Sequence, residues 1–292
     1  MDITSKISVF VGTHIIGPKH KPTEKWKGES ADGFYLDNKM IERTIESSIN
    51  SLGLQGCKYR IYTDSRFEDI LPDIHYKYVD RLQNLQNKFK EVDLKVIGNS
   101  KYPFLRGSWR DFVDNCETDY MLFLEHDWQF NRKVNTTNII QAFDNNPSMG
   151  YLKFSQYDIT PKFASQKRSA TNWDVLFEPE TNLVCDIPLT KISFYSGNPH
   201  ICRISKCKDL YIPSMLEVSE RLYRQGNNGY IKYKGEYSRG SSLFEKEIKQ
   251  AIFDDHKSIG VHPTHEKWGL YTYGSVGENA IVSHLGDWCR KS

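Results

Sequence analysis

A run of apolar residues that ends abruptly in two carboxylates sets the tightest limit on what this chain can fold into. Tyr120-Met-Leu-Phe-Leu leads straight into Glu125-His-Asp127-Trp128. An uninterrupted run of this kind is the pattern of a strand buried on both faces, as in the interior of a parallel sheet. Acid-x-acid at its end puts hard oxygen ligands at the carboxyl edge of that sheet, where open α/β sheets bind their ligands. Such a pair suits Mg²⁺ or Mn²⁺, which take few ligands from protein and the rest from substrate phosphates and water. An ordinary strand end followed by a solvated turn has the same three residues, so the rest of the sequence must separate the two readings.

Upstream, Lys6-Ile-Ser-Val-Phe-Val-Gly12 reads as a first strand, followed by a Gly-, Pro- and Lys-rich loop from His14 to Phe34. Asp37 to Leu52 carries apolar residues at Met40, Ile41, Ile45, Ile49 and Leu52, a helical spacing closed by Gly53 and Gly56. Tyr59 to Thr63 is a second strand ending at Asp64, Asp80 to Val96 is amphipathic and helical in part, and Arg106 to Asn115 is a helix running into the acid-tipped strand. Alternation of this kind predicts a mostly parallel sheet with right-handed crossovers. The second half reads differently. Short strands are expected over Gly150–Ser155 and on both sides of Gly197-Asn-Pro, helices over Pro213–Tyr223 and Ser242–Phe253, and a loop or hairpin over Tyr230–Tyr237. The expected fold class is α/β, a Rossmann-like and mostly parallel central sheet flanked by helices, with a smaller second sheet. At 292 residues this fits a single domain, with halves near 1–130 and 131–292 and no hard boundary.

Charge excludes some classes. With 39 basic and 37 acidic residues the net charge is +2, which argues against a nucleic-acid coat or a strongly basic membrane binder. The clusters Lys19–Lys27 and Lys162–Arg168 read as solvated loops. No apolar run reaches bilayer length and the start has no signal-type segment, so a soluble cytoplasmic protein is expected. Six scattered cysteines without CxxC spacing read as free thiols in a reducing compartment. His256, His262 and His265 with Asp254 and Asp255 do not have the spacing of a structural zinc site.

On these elements the chain resembles a GT-A-type glycosyltransferase, and most of all the inverting family 2 enzymes. Glu125-His-Asp127 resembles their DxD motif, with Glu in the first place. Trp109-Arg110-Asp111 resembles their Ala-Arg-Asn segment. Phe194-Tyr-Ser-Gly-Asn-Pro-His-Ile-Cys-Arg203 is similar to their acceptor-side strand, and Leu243-Phe-Glu-Lys-Glu-Ile248 to the acidic segment opening their catalytic-base helix. Ile281-Val-Ser-His284-Leu-Gly resembles the late His that completes the metal site. The resemblance runs from Ile7 to Gly286. It implies transfer of a sugar from a nucleoside-diphosphate sugar, a UDP-sugar foremost, to a hydroxyl of a glycan or other acceptor, with inversion. A modified nucleic-acid acceptor stays open.

The chemistry of such a transfer gives each residue a role. The leaving diphosphate needs its growing charge stabilised, which Mn²⁺ or Mg²⁺ does by bridging phosphates. Asp127 is the expected direct ligand, Glu125 a ligand directly, through water or toward the ribose, and His284 the third. Arg110 presents a planar fork to phosphate or sugar. Gly12, Thr13 and His14 after the first strand, and Asp64 after the second, are expected around the nucleotide, Asp64 as acceptor for a uracil N–H. An inverting enzyme needs a carboxylate base. Glu245 and Glu247 are the candidates, with Glu245 favoured, although the family's Glu-Asp pair is replaced here by Phe-Glu-Lys-Glu. His262 to Ser283 is expected to form a flap over the donor, with Trp268 stacking on the sugar. Two rivals remain open. One is a nucleotidyltransferase, which the absence of a Gly-rich phosphate loop disfavours. The other is a sugar- or nucleotide-binding module without activity.

Overall fold

The computed structural model describes residues 2–15, 30–31, 34–36, 38–64, 66–98, 100–160, 180–227, 230–238 and 244–285. The basic clusters expected at 19–27 and 162–168 lie outside them. The chain divides into two compact units: Asp2–Lys133 together with the segment from Val282 onward, and Val134–Ile281.

In the first unit four strands form a parallel sheet: β1 (Ile7–Thr13), β2 (Lys58–Thr63), β3 (Asp93–Ile97) and β4 (Tyr120–Glu125), in the spatial order β3-β2-β1-β4. Every residue of β1 is buried, as are the first five of β4. Their apolar runs therefore serve both faces of the sheet, as the sequence implied. The order doubles back at β1, so the next strand in sequence after β3 lies on the far side of β1. In sheets with such a reversal ligands usually bind at the carboxyl ends of the strands beside it, here β1 and β4.

An aromatic stack fills the core beneath. Phe10 stacks on Tyr62 and Phe123 at 5.4 and 5.2 Å between centroids, and Phe112 meets it edge-on at 5.6 Å. Phe112 belongs to the covering helix Phe104–Asn115. Helix Lys39–Leu52 buries Met40, Ile41, Ile45, Ile49 and Leu52, the apolar spacing read from sequence, and stops at Gly53 in the left-handed region. Gly53 suits that position because it carries no Cβ to clash. The helix packs against a fifth strand, β5 (Trp128–Phe130), whose antiparallel partner is the late segment Val282–His284.

The second unit holds a mixed sheet in the order His200–Arg203, Tyr151–Lys153, Leu270–Tyr273, Ile187–Lys191, Thr181–Val184. Only the Tyr151–Lys153 and Leu270–Tyr273 pair is parallel. Helices Thr136–Asn145, Ile212–Arg224, Glu245–Ile259 and Val261–Trp268 accompany it, and Ile231–Tyr233 pairs with Glu236–Ser238 as the expected hairpin. No helix among the described residues is long and apolar enough to cross a membrane. The protein is thus α/β, with a parallel sheet in one unit and a mixed sheet in the other.

The flap expected over His262–Ser283 is corrected by this structure. Its first part is a helix and its next part is a strand within the sheet, with Trp268 and Leu270 buried. Pro263 does not prevent that helix, since a proline in the first turn removes no helical hydrogen bond.

Truncating Phe10 to Ala removes the ring on which three others rest. Deletion of a buried Phe costs about 3–5 kcal/mol, and urea denaturation of Phe10→Ala should show a loss of that order.

Candidate functional site

The acid-tipped strand delivers its residues to the carboxyl edge of β1 and β4. Gly12 and Glu125 are directly paired in register, and the His126 N–H donates to the Gly12 carbonyl at 3.0 Å. Gly12 also has a packing reason to lack a side chain, because a Cβ there would sit 3.0 Å from Leu105 of the covering helix. Strand β4 ends at Glu125, and residues 126–127 form a turn into β5. The pleated alternation that would align Glu125 and Asp127 on one face therefore stops between them. Glu125 is half-buried and Asp127 buried.

Asp127 is the centre of the site. Its Oδ2 lies 3.0 Å from His284 Nε2, and its backbone carbonyl accepts from the Leu285 N–H at 2.7 Å. The late segment Val282–Leu285 is thus fastened to the turn by backbone and side chain together. The His284 ring packs edge-on against Trp128 at 4.9 Å, and His14 against His126 at 4.7 Å. Thr44 Oγ1 donates to the His126 carbonyl at 2.9 Å and fixes the turn from beneath. Asp127 Oδ1 is buried and has no hydrogen-bond partner among the described residues. The adjacent Trp128 Nε1 is likewise buried without one. Buried polar atoms without partners are costly and uncommon, and they mark places where a ligand or water completes the bonding.

The electrostatics favour a ligand form. Burial pushes the Asp127 carboxyl up, but the imidazoles of His126, His284 and His14 outweigh it and hold the group at about 2. Burial pushes His126 down, so it is neutral near pH 7. An ionised carboxylate is the form in which Asp binds divalent metals.

Among the described residues no group of three or more His, Cys, Asp and Glu is close enough to hold a metal ion. The expected trio of Asp127, Glu125 and His284 is therefore present as one close pair, Asp127 and His284, with Glu125 at the neighbouring strand end. Two protein ligands plus phosphate and water match the way Mg²⁺ is commonly bound.

The remaining expected residues fall in several places. Thr13 is buried and shares a 2.5 Å hydrogen bond with the Tyr78 hydroxyl. Asp64 is buried beside it, its N–H donating to the Thr13 carbonyl at 3.2 Å. Arg110 lies elsewhere on the covering helix, its guanidinium stacked on the Tyr102 ring at 3.9 Å. Arg106, one turn earlier on the same helix, is buried and sits in its first turn. In a parallel unit that end of the helix adjoins the carboxyl edge, so Arg106 is the better-placed cation. The sequence signal was an Arg four residues before Arg110 at a position otherwise reading as core.

Glu245, Glu247 and Trp268 belong to the second unit. Trp268 is fully buried, stacked on Tyr211 at 5.5 Å with its indole N–H donating to Asp255 at 2.7 Å, so it supports the core and presents no face to a sugar. Glu245 opens its helix half-buried and pairs with Lys249 at 2.5 Å. Glu247 is 1% exposed; its Oε1 accepts from the Tyr230 hydroxyl at 2.9 Å and its Oε2 has no hydrogen-bond partner among the described residues. Sequence also passed over Lys153, buried on a central strand with its ammonium 4.8 Å from the Phe194 ring and pushed down to about 7 by burial.

No protein-family model matches the chain, and comparison with curated protein sequences finds no match.

The Asp127 interactions make stability depend on acid pH. A group held below its unfolded value of about 3.9 stabilises the fold above that value. The contribution is lost as pH falls toward about 2. In Asp127→Asn the urea midpoint should lose part of its rise between these two pH values, and a pH series of denaturation curves on both proteins checks this.

Proposed function

We propose that this chain is a metal-dependent glycosyltransferase of GT-A type that moves a sugar from a nucleoside-diphosphate sugar to a hydroxyl acceptor. The observation that carries the reading is the buried, ionised Asp127. One of its oxygens is held by His284 and the other is open, and it stands where β1 and β4 reverse the strand order. A carboxylate so placed has a function that packing does not provide.

Asp127 and His284 would hold Mn²⁺ or Mg²⁺, which would neutralise the charge that grows on a departing diphosphate. The donor set fits, since a carboxylate oxygen and an imidazole nitrogen both bind Mn²⁺ and leave positions for phosphate and water. Arg106 and Arg110 are the cations of the covering helix assigned to phosphate, and Arg106 is preferred for its place in the first turn. Gly12, Thr13, His14 and Asp64 lie around the ends of β1 and β2 and are assigned to the nucleotide, a UDP-sugar being the first donor to examine. Trp268 is given no donor role.

Inversion requires a carboxylate to take the acceptor proton as the new glycosidic bond forms. The resemblance favours Glu245 for this. Glu245 pairs with Lys249, while Glu247 accepts from Tyr230 on one oxygen and has no hydrogen-bond partner on the other among the described residues, which supports Glu247 as the candidate to examine beside Glu245.

Two measurements test the reading. By isothermal titration, UDP should bind far more tightly with Mn²⁺ than with chelator, and Asp127→Ala should abolish the difference. Equal affinity with and without metal would sink the assignment and favour a simple nucleotide-binding module. For turnover, Glu247→Gln should lower transfer by about 10²–10⁴-fold while UDP affinity stays near parental, and Glu245→Gln should be milder. The reverse ranking would return the base to Glu245.

A further inference from the structure

A cavity of about 380 Å³ lies in the first unit between the sheet and the helix Phe104–Asn115. It is not at the Asp127 edge. Ser8, near the start of β1, lines it. Five residues of strand separate Ser8 from Thr13, roughly 16 Å at the usual rise. It opens to solvent: Asn115 and Glu117 at its mouth are exposed and Lys58, Arg60 and Cys116 half-exposed, so a ligand can enter it without displacing the helix. Its volume falls within the range of small-molecule sites.

The walls are unusual for their position. Strand β2 turns Lys58, Arg60 and Tyr62 toward the cavity, on a face where parallel sheets normally place apolar side chains. Each cation is already neutralised. Arg60 pairs with Asp93 at 2.9 Å and donates to the carbonyls of Tyr59 and Asp93, and Lys58 pairs with Glu117 at 2.5 Å. From the helix, Asn115 Nδ2 donates to the Asp111 carbonyl at 2.8 Å and lies 3.3 Å from its Oδ1. The Asp111 carboxyl is buried, and desolvation pushes it up. Tyr62 and Phe112 add buried ring surface to the floor. Glu117, exposed, and Cys116, half-exposed, mark the outer end.

This geometry points to a second ligand site, one for a neutral saccharide unit. The lining cations and carboxylates balance, two against two, so neither an anion nor a cation gains from net charge. Guanidinium, carboxylate and amide groups, fixed by their own partners, offer directed donors and acceptors suited to hydroxyls. Aromatic and aliphatic wall suits the apolar C–H face of a sugar ring. The ligand is a free sugar or one residue of a glycan, and this inference does not rest on the proposed transfer reaction.

Ligand-observed NMR and isothermal titration on the full chain test it. The probes are glucose, galactose, N-acetylglucosamine, maltose and lactose, with inorganic phosphate and putrescine as charged arms. At least one saccharide should bind saturably, equally with and without UDP and Mn²⁺. Affinity should fall tenfold or more, about 1.4 kcal/mol, in Asn115→Leu, which removes the amide, and in Cys116→Tyr, which fills the outer end. The second variant changes a half-exposed position and decides the matter if the first fails to fold. A disaccharide binding more tightly than its monosaccharides would identify a glycan residue as the occupant; the reverse would identify a free sugar. Saccharide binding without metal-dependent UDP binding would leave this site standing while the proposed function fails. The inference is overturned if no saccharide saturates, if binding survives both variants, or if phosphate or putrescine binds more tightly than every sugar and is lost with them.

Discussion

The site depends on keeping one carboxylate ionised inside the protein. Burial alone drives an acid toward its neutral form, and a bare buried charge is not tolerated. The structure answers this at Asp127 with three imidazoles, His126, His284 and His14. His284 reaches Asp127 only because Val282–His284 forms a strand on Trp128–Phe130. The late strand therefore supplies part of what holds Asp127 ionised, beside His126 and His14. The turn is fixed from the opposite side by Thr44 and by the Gly12 carbonyl, so the first strand, the first helix and the late strand all converge on three residues.

How much of this was legible in the sequence follows from which residues signal by local pattern. The buried runs of β1 and β4 and the apolar spacing of Lys39–Leu52 are local signals strong enough to survive in any context. The acid-x-acid end of β4 is legible for the same reason. Strand Asp93–Ile97 was hidden because it lies at the sheet edge and alternates charged and apolar residues, Asp-Leu-Lys-Val-Ile, at the end of an amphipathic stretch. Helix Thr136–Asn145 has no charged residue until Asp144, and its Thr, Asn and Ile composition carries weak helix propensity. It is held by burial of Ile139, Ile140 and Phe143, which propensity does not report.

The side-chain roles were less legible than the fold because they depend on contacts between distant segments. Trp268 in a Gly- and aromatic-rich stretch reads as a stacking platform, but burial on Tyr211 makes it core. Arg110 matched a motif, yet its guanidinium is spent on Tyr102 while Arg106 occupies the buried first turn. Glu245 and Glu247 differ by two positions on one helix, about 200° of rotation. One therefore reaches Lys249 on the half-exposed side and the other turns inward to Tyr230. No sequence pattern tells which face is inward when both are Glu.

The second unit shows how buried polar groups separate into those the fold explains and those it does not. His200 is fully buried and pushed down to about 3 by that burial, yet both its nitrogens are engaged, Nδ1 with the Asn198 carbonyl at 2.8 Å and Nε2 with the Tyr195 hydroxyl at 3.1 Å. With Nδ1 donating and Nε2 accepting, the neutral ring is satisfied, and structure alone accounts for it. Glu247 is as deeply buried and has one oxygen satisfied and one open. Lys153 is buried beside an aromatic ring, and burial reduces its hold on the proton. A carboxylate and an amine kept inside a core carry a desolvation cost that apolar residues of similar volume would not. Glu247 is distinguished from Glu245 by a burial that the helix sequence does not encode.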